Sequence, residues 1–308
     1  MKRRQFIKTG LITSSLPLAG SLLWANSMNQ KTKKGNSFNL NYAPHFGMFT
    51  NHSGKDLIDQ IQFMYDQGFR SLEDNGMKDR PLSDQERIAK KMNQLDMTMG
   101  VFVAHKIYWN KPNLANGDKN LQNEFVDHIR ESIEVAKRVN AKWMTVVPGH
   151  VDLGQEMGYQ TAHVVEALRR ASTILEPHGL VMVLEPLNWW TNHAGQFLRE
   201  IPQAYEICRA VDSPSCKILF DIYHQQITEG NIIPNIDKSW DEIAYFQIGD
   251  NPGRKEPTTG EINYKNVFKH IHDKGYKGVL GMEHGNFKSG KAGELAVIAA
   301  YRKVDLFK

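Results

Sequence analysis

Residues 180–188 read LVMVLEPLN, an unbroken apolar run with valines at alternate places that closes on Glu185 and Pro186. A run this apolar suits a parallel strand covered on both faces, and the proline prevents it from pairing further. The arrangement recurs downstream. CKILFDIYH (216–224), IAYFQIGD (243–250) and KGVLGMEHG (277–285) are each apolar and each reach a polar side chain, at Asp221, Gln247 and Glu283. Upstream, FNLNYAPHFGMF (38–49), FRSLED (69–74), MTMGVFVAH (97–105) and AKWMTVVPG (141–149) supply four further strand-like runs. Helical stripes lie between them: Val126, Ile129, Ile133 and Ala136 in one gap, Val164, Leu168, Ala171 and Leu175 in another. DQGF, EPHGL and DKGYKG punctuate the helix ends. Eight strand–helix pairs over about 270 residues predict an α/β fold, a (β/α)8 TIM barrel. The alternative is an open doubly wound sheet, for which no glycine-rich dinucleotide turn is present.

The 308 residues carry a net charge of +4, but its distribution is uneven. Residues 1–37 contain Lys2, Arg3, Arg4, Lys8, Lys31, Lys33 and Lys34 and no acid, which leaves the remainder at −3. An acidic folded part excludes a nucleic-acid partner held by a basic field. The start reads as a twin-arginine export signal: KRRQFIKTG, then the apolar LITSSLPLAGSLLWA, too short for a comfortable membrane span and ending in small residues. The expected organisation is a signal peptide at 1–25, a polar linker at 26–37 and one catalytic barrel domain at 38–308. The protein is then periplasmic or otherwise exported, with no stable membrane anchor once the signal is removed. Cys208 and Cys216 are too few for a disulfide framework, and a single bridge between them stays open.

A barrel keeps its chemistry at the C-terminal ends of its strands. Glu185, Asp221, Gln247 and Glu283 occupy four consecutive ends, and neighbouring strands lie only about 5 Å apart, so their side chains can converge. Three carboxylates and an amide oxygen form an all-oxygen set suited to a hard divalent metal, Mg2+ or Mn2+. Without such an ion the carboxylates repel one another. His224, Arg254, Asn188 and His193 stand close by in sequence as substrate-binding candidates, with Glu73 and His105 at the ends of the second and third runs. Trp189 and Trp190 either wall the mouth or pack against a helix.

LEPLN, FDIYHQQITEGN, QIGDNPGRKEPTTGEINY and GMEHG together resemble the hydroxypyruvate isomerase group of the xylose isomerase-like barrel superfamily. The resemblance is close over the last four strands and covers the first half only in pattern. It implies a metal-dependent isomerase that interconverts a hydroxy-ketone and its isomer through an enediolate. Glu185 and Glu283 would be the proton-transfer carboxylates and metal ligands, Asp221 and Gln247 would complete the metal set, and His224 and Arg254 would hold substrate oxygens. The sugar-epimerase branch generally has histidine where this chain has Gln247. The loop reads EPTTG where the family usually has EPGTG, so Thr258 stands at a glycine position.

The chemistry of the residues points the same way. A proton next to a carbonyl is too weakly acidic for a free carboxylate, whereas an ion that holds both oxygens and a desolvated glutamate make its removal feasible. The substrate class is a small keto acid, sugar or polyol. Competing readings are a sugar epimerase, a metal-dependent hydrolase or lyase on the same barrel, and an exported sugar-binding protein without turnover. Homo-oligomerisation stays open.

Overall fold

The computed structural model describes residues 37–307. The expected signal peptide and all of the linker except Ser37 lie outside the described residues. Among those described, eight parallel strands alternate with helices: β1 (Asn41–Ala43), β2 (Ser71–Leu72), β3 (Thr98–Met99), β4 (Trp143–Val146), β5 (Val181–Leu184), β6 (Cys216–Asp221), β7 (Ile243–Gln247) and β8 (Val279–Gly281). One sheet runs β1-β8-β7-β6-β5-β4, and β2 pairs with β3. Single bridges close the circle, His45 with Glu73 between β1 and β2, and Met99 with Ala141 and Val103 with Thr145 between β3 and β4. The structure is therefore a closed (β/α)8 barrel. Among the described residues, no helix is long and apolar enough to cross a membrane.

The helical stripes read from the sequence are the buried faces. Val126, Ile129, Ile133 and Ala136 are buried on the helix Lys119–Val139, and Val164, Leu168, Ala171 and Leu175 on Met157–Leu175. The strands explain where the polar residues go. Ala43, Val101, Val181, Val183, Leu219, Tyr245 and Val279 pack into one small cluster, separate from the larger core under the helices. Side chains alternate along a strand, so the residues two places on from Val183, Leu219 and Tyr245 share their side of the sheet. Those residues are Glu185, Asp221 and Gln247. Pairing sets Asp221 beside Gln247 and Gln247 beside Gly281, two residues before Glu283. A polar layer thus rests on an apolar plug.

Cys208 and Cys216 are both buried and free.

Candidate active site

Asp221 ends β6 and at once caps the next helix, Ile222–Thr228. Its Oδ1 accepts from the backbone N–H of Tyr223 at 2.8 Å and of His224 at 3.3 Å, the usual work of an aspartate at a helix start. This local turn carries His224 back over the same carboxylate, with Nε2 3.5 Å from Asp221 Oδ2 and 3.9 Å from Glu185 Oε1. Glu185, Asp221 and His224 each offer a ligand atom within 4.8 Å of the others.

Asn188 decides which role His224 takes. Its Oδ1 accepts the backbone N–H groups of Thr191 at 3.0 Å and Asn192 at 3.3 Å, so its Nδ2 must face His224 Nδ1, 2.6 Å away. Backbone N–H of Asn188 approaches the same ring nitrogen at 3.3 Å. Nδ1 is thereby an acceptor. Burial, with help from Arg254 and His193, holds the imidazole well below its usual pKa, so the neutral ring carries its proton on Nε2. An N–H cannot ligate a metal. His224 therefore points a donor at the carboxylate layer, and Nε2 has no hydrogen-bond partner among the described residues.

The carboxylates are in an unfavourable electrostatic state. Burial, reinforced by Glu283, raises Glu185 well above the ordinary range. Burial raises Glu283 to about 7 against the pull of Arg254, and burial likewise lifts Asp221. Arg254 is the cation at hand. Its Nη2 donates to Glu283 Oε2 at 2.6 Å and Asp221 Oδ2 at 3.3 Å. Burial works against its charge, but Glu283, Asp221 and Glu185 outweigh burial and keep the guanidinium protonated. One cation facing three carboxylates leaves negative charge uncompensated. Gln247 Oε1 is also shielded and unpartnered among the described residues. Three carboxylates and this orphaned oxygen fit a divalent cation, which Glu185, Asp221, Gln247 and Glu283 could hold.

The charged loop 249–264 exists to place Arg254. Asp250 is fully buried, and its carboxylate accepts from the N–H of Asn251 at 3.0 Å, Gly260 at 2.9 Å and Ile262 at 3.1 Å. Glu256 receives Phe287 N–H at 2.8 Å, and Glu261 receives the Asn251 amide at 2.6 Å. Asp250 thus braces the loop's backbone, Glu261 ties down its Asn251 side chain and Glu256 ties it to the segment after β8, while Arg254 reaches the carboxylates with its Cζ 5.0 Å over the Tyr223 ring. Its backbone is in the left-handed region, as is that of Thr258 at φ 78°.

Other expected residues fare differently. His193 stacks on Trp109 at 4.9 Å and leans on His224 at 5.4 Å, in the wall of a cavity of about 410 Å3 that Asn192 and Gln196 also line. Glu73 lies beneath the polar layer, bonded to Gln247 and Tyr245. His105 is turned elsewhere, taking Val147 N–H at 3.2 Å and meeting Phe125 edge-on. Trp189 packs on its own loop through Gln196 and Arg199, whereas Trp190 is exposed. Sequence reading passed over Asn75, whose Nδ2 holds Glu283 Oε1 at 3.0 Å beside a cavity of about 280 Å3. Its place just beyond FRSLED, at a strand end, was the available clue.

Residues 59–302 match the protein family described as xylose isomerase-like TIM barrel. The chain belongs to that family. Among its relatives, this xylose isomerase-like chain is 34% identical to hydroxypyruvate isomerase of Escherichia coli (strain K12) over 163 residues, 53% of this chain and 63% of that one. It is 30% identical to 2-oxo-tetronate isomerase of Pectobacterium atrosepticum over 156 residues, 51% of this chain and 59% of that one. The chain thus spans less than two thirds of the length of these curated relatives. The solved structure of an AP endonuclease, family 2, from Brucella melitensis superposes with a TM-score of 0.74 at 24% identity, over 85% of this chain and 99% of that one. That likeness concerns the fold.

Proposed function

We propose that this protein is a metal-dependent isomerase that interconverts a small hydroxy-ketone or hydroxy-keto acid and its isomer through an enediolate. The observation that carries the reading is a pair of carboxylates, Glu185 buried and Glu283 largely shielded, both with raised proton affinity, around an ion-ready oxygen set and beside a neutral histidine donor. The names of the isomerase relatives support the reaction class. Residues 38–308 act as one catalytic domain, and the twin-arginine pattern at Arg3 and Arg4 supports export by that route.

A glutamate shielded from bulk water is a stronger base toward a proton next to a carbonyl than a free carboxylate is. One of the two takes the proton from carbon, and the C–H electron pair becomes the C=C bond of the enediolate. His224 Nε2–H donates to the oxygen on which charge grows. The hydroxyl proton passes to the neighbouring oxygen, and the other glutamate, which enters the cycle protonated, gives its proton to the adjacent carbon; exchange with water then restores both carboxyl groups. A divalent ion, Mg2+ or Mn2+, would stabilise the paired oxygens when bound. Asn75 and Arg254 hold the two oxygens of Glu283, which fixes the direction of its free lone pairs.

Incubating the Mn2+-loaded protein in D2O with hydroxypyruvate and four- to six-carbon 2-ketoses tests the assignment. Glu185→Gln and Glu283→Gln should each lower turnover by roughly 10²–10⁴-fold or more while the fold survives. No isomer from any of these compounds, or normal turnover in either variant, would overturn it.

A further inference from the structure

Under the polar layer lies a hydrogen-bonded group that the reaction does not touch. Gln247 Nε2 donates to Glu73 Oε1 at 2.9 Å, and the Tyr245 hydroxyl donates to Glu73 Oε2 at 2.8 Å. The hydroxyl oxygen in turn takes Val101 N–H at 3.4 Å, which leaves the tyrosine proton to Glu73. All three side chains are essentially closed to solvent. The barrel clears space for them. A Cβ at Gly281 would lie 1.7 Å from Glu73 Oε2, and one at Gly100 would lie 2.4 Å from the Tyr245 hydroxyl. Gly281 on β8 and Gly100 just after β3 thus admit a carboxyl group to a layer that side chains otherwise fill.

The arrangement has a chemical consequence. An amide can present either its oxygen or its nitrogen to an ion, and only the oxygen is a ligand. In the ionised form that a bound cation favours, Glu73 accepts from Gln247 Nε2 and so turns Gln247 Oε1 the other way. That oxygen is the one left shielded and unpartnered among the described residues. We propose that Glu73 is a positioning residue that acts through Gln247, holding its amide so that Oε1 and not Nε2 faces the cation site. This inference rests on the metal-dependent reading of the site above.

Glu73→Gln separates orientation from shape, because glutamine fills the same volume. The Tyr245 proton still needs an acceptor. If the introduced amide offered its oxygen there, its nitrogen would face Gln247 and draw that residue's oxygen away from the ion. If it instead kept Gln247 in place, two donors would meet at Tyr245. Either arrangement weakens metal binding. The measurement is Mn2+ affinity by titration calorimetry on the full-length protein, with the melting temperature of the metal-free form as a fold control.

E73Q should bind Mn2+ about 10- to 100-fold more weakly, the usual effect of losing a residue that orients a ligand. Q247L should weaken binding comparably, and E73Q added to Q247L should cost nothing further, since Glu73 then has no amide to orient. Tyr245→Phe gives an arm that does not depend on E73Q folding. It leaves the Glu73–Gln247 bond intact and should keep Mn2+ affinity within about threefold, below the range expected for a lost orienting contact. Unchanged affinity in E73Q, additive losses in the double variant, or a tenfold loss in Y245F would overturn the inference alone. A wild-type protein that binds no Mn2+ would overturn the inference together with the metal-dependent reading beneath it.

Discussion

Raising the pH should destabilise the metal-free protein, the reverse of what paired surface carboxylates do. Burial lifts Glu283 from 4.5 to about 7, and burial with Glu283 nearby lifts Glu73 to about 8. A carboxyl group whose folded-state affinity for protons exceeds its unfolded one stabilises fully below the unfolded value. That contribution is lost as the pH climbs through the folded one. The window is therefore pH 4.5 to about 7 for Glu283, extending to about 8 for Glu73. At about 1.4 kcal/mol for each tenfold difference in proton affinity, Glu283 alone corresponds to about 3 kcal/mol. A quarter of its side chain meets solvent, which reduces the realised figure to about 2 kcal/mol. In a chain of this size, that lowers the melting midpoint by roughly 3–4 °C. The assay is thermal unfolding of chelator-treated protein between about pH 5 and 8, compared with Glu283→Gln, which cannot take part in this titration. Saturating Mn2+ should flatten or invert the slope, because the ion favours the ionised carboxylates. A wild-type midpoint that stays level relative to Glu283→Gln across this window would refute the reasoning.

Two further outcomes test the loop after β7. Thr258 is an exposed, β-branched residue at φ 78°, and Thr258→Gly should raise stability by up to about 1 kcal/mol, strain relief exceeding the added freedom of the unfolded chain; a lower denaturation midpoint would count against strain at this position. Asp250→Ala removes the buried carboxylate that accepts the backbone N–H groups of Asn251, Gly260 and Ile262 and should cost about 3 kcal/mol in chemical denaturation, together with a higher KM as Arg254 loses its anchor. A change under about 0.5 kcal/mol would mean that the loop is braced from elsewhere.

The strands that carry the chemistry were legible because their apolar runs are long and end abruptly in a polar residue. Glu185, Asp221 and Gln247 all follow inward-facing apolar neighbours at a spacing of two, and the structure brings them together with Glu283. The first half was harder to read. β2 and β3 are two residues each, too short for alternation to reveal which way Glu73 points, and it lies beneath Gln247. Tyr245 shares its parity with Gln247, but apolar residues around it made it look like ordinary core. No local pattern could show that Asn188 sets the tautomer of His224, because that depends on a turn meeting a helix 36 residues away. The sixteen-residue loop advertised its charges plainly. Only the structure separates the acids that brace it from the arginine it delivers.

The barrel closes unevenly, with an unbroken series of paired strands from β4 round to β1 and isolated bridges on either side of the β2–β3 pair. The side chains of the polar layer all hang from β5 to β8, whereas Asn75 and Trp109, which help form the walls, come from the segments after β2 and β3. The four side chains of the polar layer thus come from the second half of the gene, while the walls are shared and two of the supports, Glu73 and Asn75, come from the first. Drift in the first half away from those two positions can redraw the outline of the chamber while the polar layer stays in place. A lineage built this way can change what it accepts without relearning what it does.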